Sequence, residues 1–374
     1  MTQENNMQVP FFTFRDFPDG IHARIEQTLV EEYRRQQFIL GASVQEFERS
    51  FSDYIGVKEA VGVGNGFDAL VLSLRALGVG PGDDVLLPGN SFIATINAVQ
   101  QVGATPVLLD PDEKTYNLTA QAVNQAITQH TKAVIPVHLF GLPCPMPQIM
   151  QVAQEKGILV VEDCAQAHGA VVAGRQVGSF GHVNAFSFYP TKNLGAVGDA
   201  GAVVSQDLER LNFIRKYQNY GQSQRYAYEL PGVNSRLDSL QAAVLSVKLP
   251  YLGQLNEERR RLARSYSQQL AGVGDLECPA EVPPGTEPVF HLYVVRTRQR
   301  DALQQYLQKK GISTLVHYPV PAHLQKAYGH LGLRKGGLPV TEALAATSLS
   351  LPLYPGMTEG EQHYVVEQVQ HFFA

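Results

Sequence analysis

The sequence predicts an α/β chain with a large domain, built on a mostly parallel sheet between helices, and a smaller C-terminal α+β domain. Two observations carry this. Between residues 61 and 205, short β-branched runs alternate with helical patterns, the runs falling at 84–87, 105–109, 133–137, 158–162, 185–188 and 201–204. Between runs the apolar residues recur at helical spacing, as at Phe67, Leu70, Val71, Leu74 and Leu77. Such alternation predicts parallel strands covered on both faces. A chain of 374 residues that is 44% hydrophobic also holds enough apolar material for one large core and a smaller second one.

The elements follow in order. The first 20 residues read as an N-terminal arm; the opening MTQENNMQVP is polar, so no secretory signal is expected. The large domain is expected over 1–250. Its ligand should lie at the carboxyl ends of the strands, in loops that lead into helix N-termini. From 235 to 270 the pattern is helical, broken only near Pro250, which sets the expected boundary. A Pro- and Gly-rich loop at 278–288 precedes strand, helix, strand, loop and helix signals, which make up the small domain of 251–374.

Composition narrows the function classes. A formal net charge of −5, a pI near 6.1 and no basic run argue against nucleic acid as a partner. No stretch approaches the roughly 20 apolar residues of a membrane helix. Cys144, Cys164 and Cys278 are odd in number and lack CxxC spacing, so neither disulfides nor structural zinc are expected. The reading is cytoplasmic, with no metal implied.

Lys192 follows an apolar strand, in a loop of Pro and Gly: Phe-Ser-Phe-Tyr-Pro-Thr-Lys-Asn-Leu-Gly over 186–195. Desolvation there would lower its pKa and leave a neutral amine that attacks carbonyls. The ordinary alternative is an exposed lysine. Asp163 ends the run Ile-Leu-Val-Val-Glu-Asp; a carboxylate there is costly unless paired, and a protonated pyridine nitrogen would pair with it. A helix cap or structural ion pair is the other reading. Gln166 lies three residues on, within reach of a ring oxygen.

Gly64-Asn-Gly-Phe-Asp-Ala-Leu70 is a Gly-rich turn opening an amphipathic helix, where exposed backbone N–H groups could cradle a phosphate, although a Gly turn before a helix is common without one. Ser187 offers a hydroxyl at the end of another strand, unless it bonds its own backbone. Phe92 could stack on a planar ring, or be plain core.

Taken together these motifs resemble the DegT/DnrJ/EryC1/StrS sugar aminotransferases, of aspartate-aminotransferase fold type I. The resemblance runs through 64–70, 161–169, 186–201, 232–243, 317–323 and 351–357. It implies pyridoxal 5'-phosphate as cofactor, held covalently by Lys192, with Asp163 on the pyridine nitrogen and Gln166 near the ring hydroxyl. Ser187 and the Gly66–Phe67 backbone would hold the phosphate, with Phe92 packed on the ring. Asn234 would reach the phosphate of the neighbouring subunit's cofactor, so the active unit would be a homodimer with shared sites; a cap before Ser235 is the local alternative.

The resemblance further implies ping-pong transamination from glutamate to a nucleotide-linked keto-sugar. Many members have Gly-Thr where this chain has Gly66-Phe67, and the present form is similar to members acting at C3 of dTDP-3-keto-6-deoxyhexoses. Amination at C4 of a 4-keto sugar is the alternative. Dehydratase relatives replace the lysine with His, which Lys192 opposes. A non-catalytic regulatory protein of the same fold is the alternative of another class. Tyr228 stands where a His is common. Tyr189, Tyr220, Arg225, His317 and Tyr318 are the candidates for sugar or pyrophosphate contacts, Arg225 through its planar donor fork.

Overall fold

The computed structural model describes residues 7–374. Four parallel strands form one side of the main sheet in the spatial order Thr105–Leu109, Asp84–Pro88, Thr131–Val134, Leu159–Val160. Past them come Asn184–Ser187, Gly201–Ser205 and Glu59–Val63, with Gly201–Ser205 antiparallel to both its neighbours. Asp163 joins the two groups, with parallel bridges to Val137 on one side and Ala185 on the other. The sheet is thus mostly parallel, with one reversed strand.

Both faces are covered by apolar side chains. One core packs Phe47, Phe51, Phe186 and Phe188; the other packs Leu72, Leu74, Leu87, Ile96 and Val203. This two-sided burial explains why the strands read as near-continuous apolar runs and not as alternating ones.

A third core lies under the C-terminal sheet, where Tyr293–Arg296 pairs antiparallel with Ser348–Leu351. The helical region splits at Pro250 into Ser239–Lys248, a short 3-10 turn, and the helix Leu252–Leu270. That last helix spans two cores: Leu252 packs in the large one, whereas Leu262, Tyr266 and Leu270 pack in the small one. Val9 bridges to Ile312, so the arm is tied to the C-terminal part of the chain.

Candidate active site

The carboxyl ends of the parallel strands open on a cavity of ≈ 560 Å³. Its wall holds Gly66, Phe67, Phe92, Asp163, Gln166, Ser187, Tyr189, Lys192, His317 and Tyr318. Ten residues that sequence reasoning drew from five separate segments therefore face one space.

The helix Gly66–Ala76 aims its N-terminus at this cavity. Asn65 caps it, its side-chain oxygen accepting from the Asp68 N–H at 2.8 Å. Among the described residues nothing accepts from the N–H groups of Gly66 and Phe67, so two oriented donors remain at the positive end of the helix. Glycine at 66 is dictated by packing, because a Cβ there would lie 2.4 Å from the Ser187 Cβ. The turn and the Ser187 strand end are thereby pressed together into one anion-sized cradle.

Asp163 sits at the opposite chemical pole, 5% exposed. Its Oδ2 accepts from Thr95 Oγ1 at 2.9 Å and its Oδ1 from the Ala165 N–H at 3.2 Å. Burial nevertheless pushes its pKa up, with those two hydrogen bonds and the charge of Lys192 opposing the rise. A cationic N–H in the cavity would relieve that cost. Lys192 shows the mirror effect: burial lowers its pKa to about 8, and Asp163 only partly restores it. Protein encloses the amine, yet part of its surface stays open because the cavity lies against it. No atom of the described residues accepts a hydrogen bond from Nζ.

Gln166 is fixed between two partners. Its Oε1 accepts from the Phe140 N–H at 2.7 Å, and its Nε2 donates to Tyr318 Oη at 3.3 Å. The Tyr318 ring lies 5.4 Å from that of Phe92. His317 is anchored by Ser350 Oγ at 2.8 Å from Nδ1, and burial lowers its pKa to about 4.

Three of the sequence candidates stand outside this cavity. Arg225 lies on the exposed hairpin of Gln222–Gln224 and Ala227–Tyr228, its guanidinium 5.1 Å from the Tyr226 ring centre. Tyr220 is half exposed, under the guanidinium of Arg236. Asn234 is exposed and bridges to Asn219; the following helix begins at Ser239, with Asp238 at its N-cap position, so Asn234 is not its cap.

Two residues escaped sequence reasoning. Thr95 carries no motif and acquires its meaning only through Asp163. His291 also lines the cavity, two residues before the strand Tyr293–Arg296.

Behind the site, His138, Glu162 and Cys164 form a buried trio close enough to suggest a metal. Their bonding argues otherwise. Glu162 accepts from the N–H groups of Gly178, Phe180 and Gly181 at 2.9, 2.8 and 2.7 Å. His138 Nδ1 accepts from the Cys144 N–H, so its Nε2 carries the proton that goes to Glu162 at 3.1 Å. Glu162 and His138 thus clamp the strand end next to Asp163.

The cavity fits pyridoxal phosphate in kind: a free amine for an aldehyde, a buried carboxylate for a pyridinium, and open N–H groups beside a serine for a phosphate. Comparisons with known proteins agree. The model of the DegT/DnrJ/EryC1/StrS aminotransferase family matches residues 19–370. The dTDP-3-amino-3,4,6-trideoxy-alpha-D-glucose transaminase of Streptomyces venezuelae is 42% identical over 98% of this chain and 96% of its own. A pleiotropic regulatory protein of Geobacillus stearothermophilus is 41% identical over 98% and 99%. The crystal structure of S. venezuelae DesV in complex with a ketimine intermediate superposes with a TM-score of 0.95, at 42% identity and 98% coverage of both chains.

Proposed function

The chain belongs to the DegT/DnrJ/EryC1/StrS aminotransferase family, and from that premise we propose that it moves an amino group from glutamate to C3 of a dTDP-3-keto-6-deoxyhexose. The observation that supports this most is the pairing, in one cavity, of a desolvated amine at 192 with a buried carboxylate at 163. The transaminase from S. venezuelae, alike over nearly the full chain, supports the choice of a dTDP-linked sugar and of C3.

When bound, pyridoxal phosphate supplies an electron sink that lets an amino group leave one carbon and join another. The protein does the rest. Lys192 would hold the cofactor and, once released, carry the proton that moves at the reacting carbon. Asp163 would keep a proton on the ring nitrogen. Ser187 and the N–H groups of Gly66 and Phe67 would bind the phosphate, Gln166 would meet the ring oxygen, and Phe92 would cover the ring. Tyr189, His317 and Tyr318 are left facing the space where the sugar must lie.

We take residues 1–250 as the cofactor-binding unit and 251–374 as the small domain. The active unit is a homodimer, in which Asn234, Tyr220 and Arg225 serve the neighbouring subunit's site. Their exposure on one protomer, beside Tyr226 and Tyr228 at 74% and 60%, suits a surface that a second copy covers.

The deciding experiment incubates the enzyme with glutamate and each of two sugars, dTDP-3-keto- and dTDP-4-keto-6-deoxyhexose, and identifies the products. A 3-amino sugar is expected. Amination of the 4-keto sugar alone would move the assignment to C4. A visible spectrum untouched by glutamate would leave only a cofactor-binding regulator.

A further inference from the structure

His291 faces the same cavity as Lys192, and its tautomer follows from four hydrogen bonds. Asn256 Nδ2 donates to the His168 carbonyl at 2.8 Å, which leaves Asn256 Oδ1 as an acceptor. Asn193 Nδ2 donates to that Oδ1 at 2.9 Å and to the Val289 carbonyl at 3.0 Å. Both N–H bonds of Asn193 are therefore engaged, and backbone carbonyls, which only accept, fix the orientation of both amides. Asn193 Oδ1 must then accept, and it does so from His291 Nδ1 at 3.1 Å.

The proton of the neutral imidazole is thus on Nδ1, and Nε2 presents a lone pair. Among the described residues no donor reaches Nε2. It is not sealed off, and this cavity is the open space that His291 lines. Burial holds the ring neutral, and the charges of Lys192 and Arg259 act the same way, with His317 and His168 adding to them. Asp163, the one carboxylate of the cavity wall besides the exposed Asp199, is taken up by Thr95 and Ala165.

We propose that His291 is a positioning residue for Lys192: with the amine form of the cofactor in the cavity, Nε2 accepts a hydrogen bond from the freed Lys192 amine, a contact this structure does not show, and so aims it at the reacting carbon. The side chain of Asn193, the residue next to Lys192, sets this up by holding the imidazole in the accepting tautomer. The inference rests on Lys192 being the reactive amine, as proposed above. An ammonium donates more strongly than an amine, so the acceptor raises the Lys192 pKa, and its loss lowers it.

The test uses enzyme loaded with the amine form of the cofactor, in which Lys192 is free. Competitive labelling of Lys192, read by mass spectrometry across pH, gives its titration midpoint in wild type, His291→Phe and His291→Gln. Glutamine keeps an N–H for Asn193 and an oxygen for the cavity. The Phe variant should titrate about one pH unit lower and lose about tenfold in kcat with KM for the sugar unchanged. The Gln variant should recover most of both. His291→Met gives the same comparison if the Phe variant does not fold. Equal midpoints in wild type and either apolar variant would overturn the proposal, as would a Gln variant no better than Phe. Lys192→Ala run alongside separates the two ideas: glutamate-dependent spectral change in that variant would remove Lys192 itself from its role.

Discussion

Thr95 Oγ1 donates to Asp163 Oδ2 across 2.9 Å, the direction required when Asp163 is ionised, since a carboxylate only accepts. Ser91 Oγ, 2.9 Å from Thr95 Oγ1, must then be the donor to Thr95. A short relay of hydroxyls thus holds one oxygen of Asp163, while the Ala165 N–H holds the other. The carboxylate is oriented before any ligand arrives, which is what a site that grips a pyridinium needs.

Thr95→Val should keep the shape and remove the bond. Asp163 would then be less well stabilised as an anion, and its already raised pKa would rise further. Loss of one hydrogen bond to a charged group predicts about tenfold weaker pyridoxal phosphate binding. Fluorescence titration of the cofactor-free protein measures this, and an unchanged affinity would count against a pairing of Asp163 with the ring.

Asp163→Asn separates stability from function. A buried carboxylate whose pKa is pushed up by desolvation weakens the empty protein, so the neutral amide should raise its thermal midpoint. Turnover should fall roughly a hundredfold or more, since nothing would hold the ring proton. A variant both less stable and fully active would contradict the assignment.

Lys192 gives a pH signature. Its pKa is about 8 in the fold, against 10.5 for an ordinary lysine. A base with a depressed folded pKa costs stability where it must be charged, so the full penalty applies below about 8 and fades as pH rises toward 10.5. In cofactor-free protein, Lys192→Met should melt higher than wild type at pH 7, and the gap should close with rising pH. Thermal scans from pH 6.5 to 10 read this directly; a gap that stays constant would mean that the amine is not desolvated.

Much of this was legible in the sequence, for a physical reason. Asp163, Ser187 and the Gly66 turn all sit at strand ends or helix starts, and such positions announce themselves through an apolar run that stops or a glycine before a helical period. Thr95 and His291 make no such announcement. Thr95 meets Asp163 across 68 residues and His291 meets Asn193 across 98, so their roles exist only once the sheet and the small domain are assembled. Tyr220 and Arg225 were ambiguous for another reason: a surface that a second copy would cover has the same local pattern as one that faces water.

Glu162 tests whether the clamp behind the site matters. It is fully buried and accepts three backbone N–H groups and His138. Glu162→Ala would strand all four donors, at a cost of about 3 kcal/mol or more. The expected result is a clear drop in thermal midpoint together with weaker cofactor binding, because Asp163 is the next residue. A stable variant with normal affinity would show that the strand end is held by the sheet alone.

The sharing of sites between subunits is open to a complementation test. Lys192→Ala removes the amine from its own protomer's cavity. Asn234→Asp would set a negative charge against the phosphate held by the neighbouring protomer. Each variant alone should be inactive. Mixed, unfolded and refolded together at equal concentration, half of the dimers carry one chain of each kind. If Asn234 serves its own cavity, a mixed dimer has one lesion in each site and recovers nothing. If it serves the neighbour's, both lesions fall in one site and the other is intact, so about a quarter of wild-type activity should return. Measuring that recovered fraction decides which protomer Asn234 serves, since the two arrangements differ by all or none of it.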